Sequence, residues 1–475
     1  MIKVWKKKGV LGIKKDILSS NKNKTSVFNS KDTLFDLDGD HTIELLVPKT
    51  VYPPREDSKL LLDCINSLNG PNGKALEIGC GTGIISIALA KKGWEVEAID
   101  INPYAVISTK ENIRRASVED LVLVSEGGLG EEEFSIPEDT KLIVWNLPYL
   151  TPPKSDEQRL EWIEEASMSD LEGEGWGHLL AGYLELNRDK LDPELLVILL
   201  QRKYPESPSK IGHWANLGWS HRVMNSRWVF DEKLEVVAYW KPGLGVPPKK
   251  LDECDSTMDE AKKLPQKGWQ RVTTRRQTRG RGRGGSTWIS KNDDLLATWS
   301  TEKSLLNELD PGLLQVITGA KISQVIGQYC KWPNDIVNKE GVKIGGVLVE
   351  MDSESMNLRI GVGINQFNDT IGNLKIKGWR EITHELRLEK LFPIIDAELS
   401  TLFEKHPLLE DKVDKNQIKS ESWRSLSKLT SRGYTIETEK GSSRITKLNT
   451  NGELSVVSNN YEENINNVES IRWSF

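Results

Sequence analysis

The chain has 475 residues, which is too many for one hydrophobic core, so we expect two or three domains. Its net charge of −6 disfavours a broad DNA-binding surface, and it has no apolar run near the roughly 18 residues that cross a bilayer. The four cysteines and six histidines are dispersed, which argues against a disulfide framework and a metal site. We therefore expect a cytoplasmic protein without specific DNA binding and without a membrane segment.

The chain begins with a basic arm and later contains a break rich in proline and glycine. Lysines are frequent in residues 3–24, a composition typical of a solvated tail, with contact to RNA or the ribosome as the alternative. Prolines and glycines cluster between Pro242 and Pro248, and proline stiffens the chain and removes backbone donors. These features divide the chain into a basic arm (1–45), a first domain (46–242), a linker (243–248), a second domain (249–425) and a small C-terminal β domain (426–475).

Strand-like and helix-like segments alternate in the first domain. Four short apolar runs have the length of strands and lie at residues 75–78, 96–99, 142–145 and 195–200. Helix-like segments separate them, and this alternation predicts a parallel sheet covered by helices. We therefore expect an α/β fold for this part of the chain.

A glycine-rich turn follows the first apolar run. Glu77 precedes Gly79, Gly81 and Gly83, and the helix-like residues 85–91 come directly after them. A glycine pattern of this kind alone suits many nucleotide sites. The next run, however, ends about twenty residues further on at Asp100, where a carboxylate can accept both hydroxyl groups of a ribose.

The third run ends in Asn146-Leu147-Pro148-Tyr149, and the segment Tyr-Pro-Pro-Arg-Glu-Asp-Ser lies upstream at residues 52–58. With the glycine turn, these motifs resemble class I S-adenosylmethionine-dependent methyltransferases that act on amide and amine nitrogens, in particular the glutamine methyltransferases of translation release factors. The resemblance implies a Rossmann-like fold, a class I release factor as substrate and a small zinc-binding activator protein as a partner of some relatives. It also implies the site residues: Glu77, Gly79, Gly81, Gly83 and Asp100 for S-adenosylmethionine, and Asn146, Pro148 and Tyr149 for catalysis.

An amide nitrogen is a poor nucleophile because its lone pair is delocalised into the carbonyl. In the family, the asparagine side chain and the next carbonyl accept its two N–H bonds, and the tyrosine stacks on the planar group, so positioning carries the reaction. Here Leu147 stands in place of the usual proline, although Pro148 still favours an extended Leu147. The family usually has a further acidic residue that contacts the cofactor, and Glu126 lies near that position but not at it. Two alternatives stay open: an inactive scaffold, and a nucleic-acid substrate, because DNA methyltransferases share related motifs.

The second domain contains a segment rich in arginine and glycine at residues 273–290. Its centre is Gly280-Arg281-Gly282-Arg283, and it also contains Trp288. Glycine lets backbone N–H groups approach an anion closely, and arginine offers a planar fork to phosphate or carboxylate. The segment therefore predicts a loop that closes over a polyanionic ligand. An RNA-binding tract is the alternative.

Companion motifs surround this loop. Ser256-Thr257 lies upstream, and Lys331-Trp332-Pro333-Asn334-Asp335, Lys343 with its glycine pair, and Gly361 to Asn365 lie downstream. In this order and spacing they resemble the catalytic domain of biotin protein ligases. The resemblance implies an α+β domain with a small C-terminal β-barrel, and it implies that ATP and Mg²⁺ activate biotin as biotinoyl-adenylate. A lysine of a biotin-accepting carboxylase subunit then receives the biotin.

The resemblance also assigns roles to residues. It implies catalysis by Lys343, Arg281 and Arg283, binding of biotin by Ser256, Thr257, Gln277, Arg281 and Lys343, and binding of ATP or the adenylate by Gly280, Gly282, Trp288, Lys331, Asp335 and Asn365. For Ser256 and Thr257 the alternative is capping of the helix that starts near Met258. Asp335 either orients a lysine, binds Mg²⁺ or is a turn residue. The leading hypothesis is therefore one chain with two enzymes, a biotin protein ligase and a protein glutamine methyltransferase.

Overall fold

The computed structural model describes residues 31–37, 41–70, 73–150, 169–171, 173–291, 293–302, 309–351, 357–372, 374–383, 386–410, 414–458 and 461–474. Residues 3–24 of the basic arm lie outside these ranges. The chain divides into two compact units. The first comprises Met1–Leu217, His221–Trp240 and Pro407–Glu410, and the second comprises Gly218–Ser220, Lys241–His406 and Asp411–Phe475. No helix in the described ranges is both long and apolar enough to cross a membrane.

A seven-stranded sheet forms the centre of the first unit. In chain order this unit has β1 (Lys31–Asp36), β2 (Thr42–Val47), α1 (Glu56–Asn66), β3 (Lys74–Ile78), α2 (Ile84–Lys91), β4 (Glu95–Asp100), α3 (Pro103–Arg115), β5 (Val122–Glu126), β6 (Thr140–Asn146), α4 (Trp176–Leu186), β7 (Leu196–Tyr204), α5 (Ile211–Asn216), β8 (Ser220–Val229) and β9 (Glu232–Trp240). The sheet order is β5-β4-β3-β6-β7-β9-β8, and β1 and β2 form a separate antiparallel pair.

The five strands from β3 to β7 run parallel, as the alternation of the sequence predicts. Their apolar runs are buried because helices cover a parallel sheet, and all residues from Leu196 to Leu200 are buried. The sequence did not predict β8 and β9, and β9 is antiparallel to β7. The consequence for function is that β3, β4 and β6 all end at the same edge of the sheet.

The second unit is built on a nine-stranded sheet with the order β10-β11-β14-β18-β17-β16-β15, to which β20 is joined through β17 and β19 through β20. Its elements are β10 (Lys249–Cys254), α6 (Thr257–Ala261), β11 (Gln270–Gln277), β12 (Gly280–Arg281), β13 (Thr287–Trp288), β14 (Leu295–Glu302), α7 (Pro311–Val325), β15 (Tyr329–Lys331), β16 (Asp335–Val337), β17 (Lys343–Met351), β18 (Asn357–Ile364), β19 (Asp369–Ile371), β20 (Leu374–Ile376), α8 (Leu388–Phe403), α9 (Lys415–Thr430), β21 (Thr435–Thr438), β22 (Gly441–Leu448), β23 (Leu454–Ser458), β24 (Tyr461–Ile465) and β25 (Arg472–Ser474).

The last five strands form a sheet with the order β24-β23-β22-β21-β25. All five lie within residues 426–475, for which the sequence predicts a small β domain. Closure of these strands into a small β-barrel stays a prediction. The segment that follows β24 contributes Val468 to the wall of the cavity described below.

A buried charge network joins α8 to the central sheet of the second unit. Trp269 and Trp299 each donate their indole N–H to Oδ1 of Asp396, over 2.8 and 2.9 Å, and Arg271 Nε donates to Oδ2 over 3.1 Å. Burial raises the pKa of Asp396, whereas the charge of Arg271 and the three hydrogen bonds oppose this shift. This network therefore ties β11 and β14 to α8, and β11 leads directly to Gln277.

Replacement of Asp396 by alanine is expected to destabilise the protein by about 3–5 kcal/mol, because it leaves a buried guanidinium without its partner. The exposed ion pair of Arg275 and Asp293, 3.0 Å apart, offers a matched control. Asp293→Ala should cost less than about 1 kcal/mol. Guanidinium-induced unfolding checks both values, and equal losses for the two variants would contradict the role of Asp396.

Candidate active sites

The glycine turn between β3 and α2 has a left-handed backbone at Gly79, Gly81 and Gly83, with φ of 67°, 56° and 76°. A Cβ at Gly83 would lie 2.6 Å from Thr109 Cγ2, and one at Gly79 would lie 3.3 Å from Trp145 Nε1. A Cβ at Gly81 would meet nothing within 4 Å. Gly79 and Gly83 therefore permit close packing of the turn, and Gly81 faces open space in which a ligand can lie.

Asp100 connects this turn to the next strand. Its carboxylate accepts the backbone N–H of Gly81 over 2.9 Å and that of Asn102 over 2.8 Å. Burial raises the pKa of Asp100, and the two backbone hydrogen bonds oppose that shift. In the sheet, Glu126 at the end of β5 lies beside Asp100 and is exposed. The structure therefore brings the predicted glycine turn and Asp100 together, with Glu126 next to them at the same edge.

Glu77 lies behind the turn rather than in the open space. Its buried carboxylate accepts a hydrogen bond from the hydroxyl of Ser86 in α2. Burial raises the pKa of Glu77 to about 8, although the hydrogen bonds from Ser86 lower it. The observed contact connects β3 to α2, and the predicted role of Glu77 in cofactor binding stays a prediction.

Asn146, Pro148 and Tyr149 follow the end of β6. The Nδ2 of Asn146 donates to Oδ2 of Asp57 over 2.9 Å, and the Tyr149 hydroxyl donates to the same oxygen over 3.5 Å. The N–H of Leu147 donates to the carbonyl of Leu200 over 3.2 Å, which holds the backbone of the motif against β7. The Oδ1 of Asn146 is buried and has no hydrogen-bond partner in the described part of the chain. An acceptor atom is therefore presented at the predicted substrate position.

The prediction from sequence missed Asp57 as a site residue. Asp57 lies in the first turn of α1, is 4% exposed, and belongs to the motif at residues 52–58. An acidic residue in the first helical turn is normally explained by the helix dipole alone. Its contact with Asn146 joins residues 89 positions apart, and no local pattern encodes such a contact.

One cavity of the second unit has a volume of about 260 Å³. Nine of the residues predicted for biotin, ATP or catalysis line it: Ser256, Thr257, Gln277, Arg281, Gly282, Arg283, Trp288, Asp335 and Lys343. Gly280, Lys331 and Asn365 are not in its lining. Gly280 pairs with Trp288 between β12 and β13, and the backbone of Asn365 bonds to Ile344 over 2.8 Å. Most of the scattered motifs therefore converge on one cavity.

One wall of the cavity is a network of hydroxyl and amide groups. Gln277 Oε1 accepts the N–H of Thr257 over 2.7 Å and its hydroxyl over 3.1 Å. Thr298 donates in turn to Thr257 Oγ1 over 2.9 Å. Ser256 precedes α6, but its side chain makes no capping hydrogen bond, and its buried Oγ has no partner among the described residues. Capping therefore does not account for Ser256.

The arginine–glycine loop forms a second wall. Arg281 lies 3.1 Å from Asp259 and 3.2 Å from Glu350, so two carboxylates neutralise its guanidinium. Within the described residues, the buried Nε of Arg281, Nη1 of Arg283 and Nε1 of Trp288 have no hydrogen-bond partner. These three atoms are donors. The residues that carry these three donors all line the cavity.

Glycines make room for the indole of Trp288. A Cβ at Gly363 would lie 2.6 Å from the Trp288 ring, and one at Gly346 would lie 3.6 Å from it. The two glycines face each other in the register of β17 and β18. These two glycines therefore leave space for the indole of Trp288, which packs against them.

Lys343 and Asp335 form the polar end of the cavity. The Nζ of Lys343 lies 2.7 Å from Asp335 Oδ1, and that of Lys331 lies 3.9 Å from Asp335 Oδ2. Burial lowers the pKa of Lys331, while Asp335 opposes this and Lys343 adds to it. Across the described residues, no three His, Cys, Asp or Glu side chains form a metal-binding group. The geometry therefore pairs Asp335 with lysines.

Comparisons with known proteins agree with both motif sets. Residues 55–179 match the methyltransferase small domain, and residues 253–365 match the biotin/lipoate A/B protein ligase family. A predicted protein N5-glutamine methyltransferase of Methanocaldococcus jannaschii is 41% identical over 120 residues, 25% of this chain and 56% of the relative. A release factor glutamine methyltransferase of Dictyoglomus turgidum is 29% identical over 147 residues, 30% of this chain and 49% of the relative.

For the second unit, the biotin–protein ligase of Homo sapiens is 36% identical over 110 residues, 20% of this chain and 15% of the relative. The chain thus spans less than two thirds of each of these three relatives. The two resemblances drawn from the motifs are confirmed. The chain contains a methyltransferase domain in its N-terminal half and a domain of the biotin/lipoate protein ligase family in its C-terminal half, and both are classes of enzyme.

The buried Glu77 predicts a pH dependence of stability. Its pKa is about 8 in the folded protein against an ordinary value of 4.5, so the folded state binds a proton that the unfolded state releases. The stabilising contribution is complete below pH 4.5 and is lost as the pH rises through about 8, by up to about 1.4 kcal/mol per pH unit.

Glu77→Gln should remove this dependence, because glutamine does not titrate and can still accept from Ser86. The free energy of unfolding of the variant, measured from pH 5 to pH 8.5, should decline less than that of the wild type. Glu95→Gln, at the exposed start of β4, is the control and should follow the wild type. Parallel curves for Glu77→Gln and the wild type would contradict the assignment.

Proposed function

We propose that the chain is a bifunctional enzyme of the cytoplasm, a biotin protein ligase joined to an S-adenosylmethionine-dependent protein glutamine methyltransferase. Four free cysteines are in keeping with a reducing compartment. One observation carries the ligase part of the proposal. Four buried polar atoms have no hydrogen-bond partner among the described residues. They belong to Ser256, Arg281, Arg283 and Trp288, which all line one cavity, and at least three of the atoms are donors. A ligand rich in acceptor oxygens, such as an acyl-adenylate, satisfies them.

In the proposed ligase reaction, a carboxylate oxygen of biotin attacks the α-phosphorus of ATP, and the bond to pyrophosphate breaks. Two anions approach each other, so cationic groups must offset the charge that develops. Lys343, on β17, points its ammonium into the cavity beside Asp335, which fixes its position. Arg281 and Arg283 supply donors from the loop, and Mg²⁺ enters as the counter-ion of ATP. The amine of an acceptor lysine then attacks the acyl carbon, AMP leaves, and biotin is attached to a carboxylase subunit.

Lys343→Ala should slow formation of biotinoyl-adenylate by about 100-fold or more, because it removes a charge directed at the transition state. Lys339→Ala is the matched control, since Lys339 is an exposed lysine in the connection between β16 and β17. Single-turnover assays with labelled biotin, ATP and magnesium measure the step before transfer. A normal rate for Lys343→Ala would show that this lysine does not act in adenylation.

For the first unit we propose transfer of a methyl group to the amide nitrogen of a glutamine. The residues fit S-adenosylmethionine, because Gly81 faces open space and the Asp100 carboxylate, which accepts the Gly81 N–H, lies at the same edge of the sheet. The cofactor supplies an electrophilic methyl group when it is bound. Asn146 Oδ1 and the Leu147 carbonyl accept the N–H bonds of the amide, and Tyr149 packs on its plane. The nitrogen would form a bond to the methyl carbon while the bond between that carbon and the cofactor sulfur breaks, and it would lose one proton to water.

The acceptor that we propose is a class I release factor, with a small zinc-binding protein as a possible activating partner of the kind that some relatives use. The motif at residues 52–58 and the similarity to the Dictyoglomus turgidum enzyme support this choice. A scaffold without catalysis is the second candidate. It is favoured by Glu126, which is exposed beside Asp100 in this structure, and by Leu147 in place of proline.

Two variants separate cofactor binding from transfer. Asp100→Ala should weaken binding of S-adenosylmethionine by about 1.5–3 kcal/mol, as expected for loss of a charged hydrogen-bond partner. Asn146→Ala should leave that affinity nearly unchanged and reduce transfer to a small residual rate, because Asn146 contacts the acceptor and Asp57 but not the cofactor. Calorimetry gives the affinities, and methylation of a release factor with labelled cofactor, with and without the activator, gives transfer. Failure of the wild type to bind the cofactor would leave the scaffold as the explanation.

A further inference from the structure

We propose that Asp57 is a positioning residue that fixes which end of the Asn146 amide faces the methyl acceptor. The proposal rests on the proposed transfer to an amide nitrogen. It starts from two observations that are independent of that activity: Asp57 is 4% exposed at the first turn of α1, and Asn146 Oδ1 is buried without a partner in the described part of the chain.

Both carboxylate oxygens of Asp57 accept hydrogen bonds, one from its own helix and the other from the motif after β6. Its Oδ1 accepts the backbone N–H of Ser58 over 2.8 Å and, more weakly, the Ser58 hydroxyl over 3.4 Å. Its Oδ2 accepts Nδ2 of Asn146 over 2.9 Å and the Tyr149 hydroxyl over 3.5 Å. The carboxylate therefore stands between the backbone of its own helix and the two polar side chains of the motif after β6.

A carboxylate accepts hydrogen bonds and cannot donate them, whereas an asparagine amide has one accepting and one donating end. Asn146 must therefore turn its NH₂ group toward Asp57, and its oxygen toward the opposite side. Tyr149 donates its hydroxyl hydrogen to the same carboxylate oxygen, and burial raises the pKa of this hydroxyl. Asp57 thus favours methyl-acceptor substrates that donate an N–H to Asn146 Oδ1.

Asp57→Asn tests this sharply because it preserves shape and changes only the donor pattern. The Ser58 N–H still requires an oxygen beside it, so the new NH₂ group must take the position of Oδ2. There it faces Asn146, which has to rotate its amide and present NH₂ to the acceptor. We expect kcat for methylation to fall by about 100-fold or more, with the affinity for S-adenosylmethionine unchanged. A role in packing alone predicts that Asp57→Asn is milder than Asp57→Ala, and that outcome would overturn the proposal.

A double-mutant cycle shows whether Asp57 acts through Asn146. Asp57→Asn combined with Asn146→Ala should be no slower than Asn146→Ala alone, because the first change has nothing left to misorient. Additive losses would overturn the proposal. Glu56→Gln is the matched control: it is the preceding residue, exposed, and paired with Arg227 over 3.1 Å. It should retain the wild-type kcat.

A measurement without turnover keeps this result separate from the fate of the proposed function. With ¹⁵N-labelled asparagine, the side-chain NH₂ resonance of Asn146 can be assigned by its loss in Asn146→Ala. In the full-length wild type it should exchange slowly with water, because it is bonded to a buried carboxylate. In Asp57→Asn it should shift and exchange faster. An unchanged resonance would overturn the proposal even in an enzyme that methylates, and the expected change would support it even where no methyl acceptor is found.

Discussion

Both candidate sites depend on one constraint: a carboxylate accepts hydrogen bonds and cannot donate them. In the first unit Asp57 takes the donor end of Asn146, and in the second Asp335 lies between two lysines. Neither carboxylate is the group that we expect to react. In our proposal, each fixes the orientation of a neighbour that contacts the substrate, and so determines what kind of ligand that neighbour can recognise.

The pairing of the strands explains why these groups lie close together. Parallel strands end at the same edge of a sheet, so the glycine turn after β3, Asp100 on β4 and Asn146 on β6 meet although they lie far apart in sequence. In the second unit the antiparallel strands β17 and β18 place Gly346 opposite Gly363, and the indole of Trp288 lies over them. Regular strand pairing therefore accounts for most of the convergence that the motifs predict.

The sequence predicted what local chemistry encodes. The apolar runs predicted four of the five parallel strands of the first unit to within a few residues, and the glycine turn was expected where φ is positive. It could not predict β9, which completes the sheet as an antiparallel strand, or the contact of Asp57 with Asn146 across 89 positions. Nor could it show that Arg281 is already paired with Asp259 and Glu350. These features depend on partners brought close only by the folded chain.

Among the described residues, the buried polar atoms without partners fit opposite kinds of proposed ligand in the two units. Around the ligase cavity the nitrogen atoms of Arg281, Arg283 and Trp288 are donors, and an adenylate presents phosphate, carbonyl and ring acceptors. At the methyltransferase site the buried atom is an acceptor, the Oδ1 of Asn146, and an amide nitrogen presents donors. An unsatisfied buried polar group costs about 1–3 kcal/mol, so each site should bind more tightly a ligand that supplies the missing hydrogen-bond partner. The same physical rule thus favours an acceptor-rich intermediate in one unit and an N–H substrate in the other.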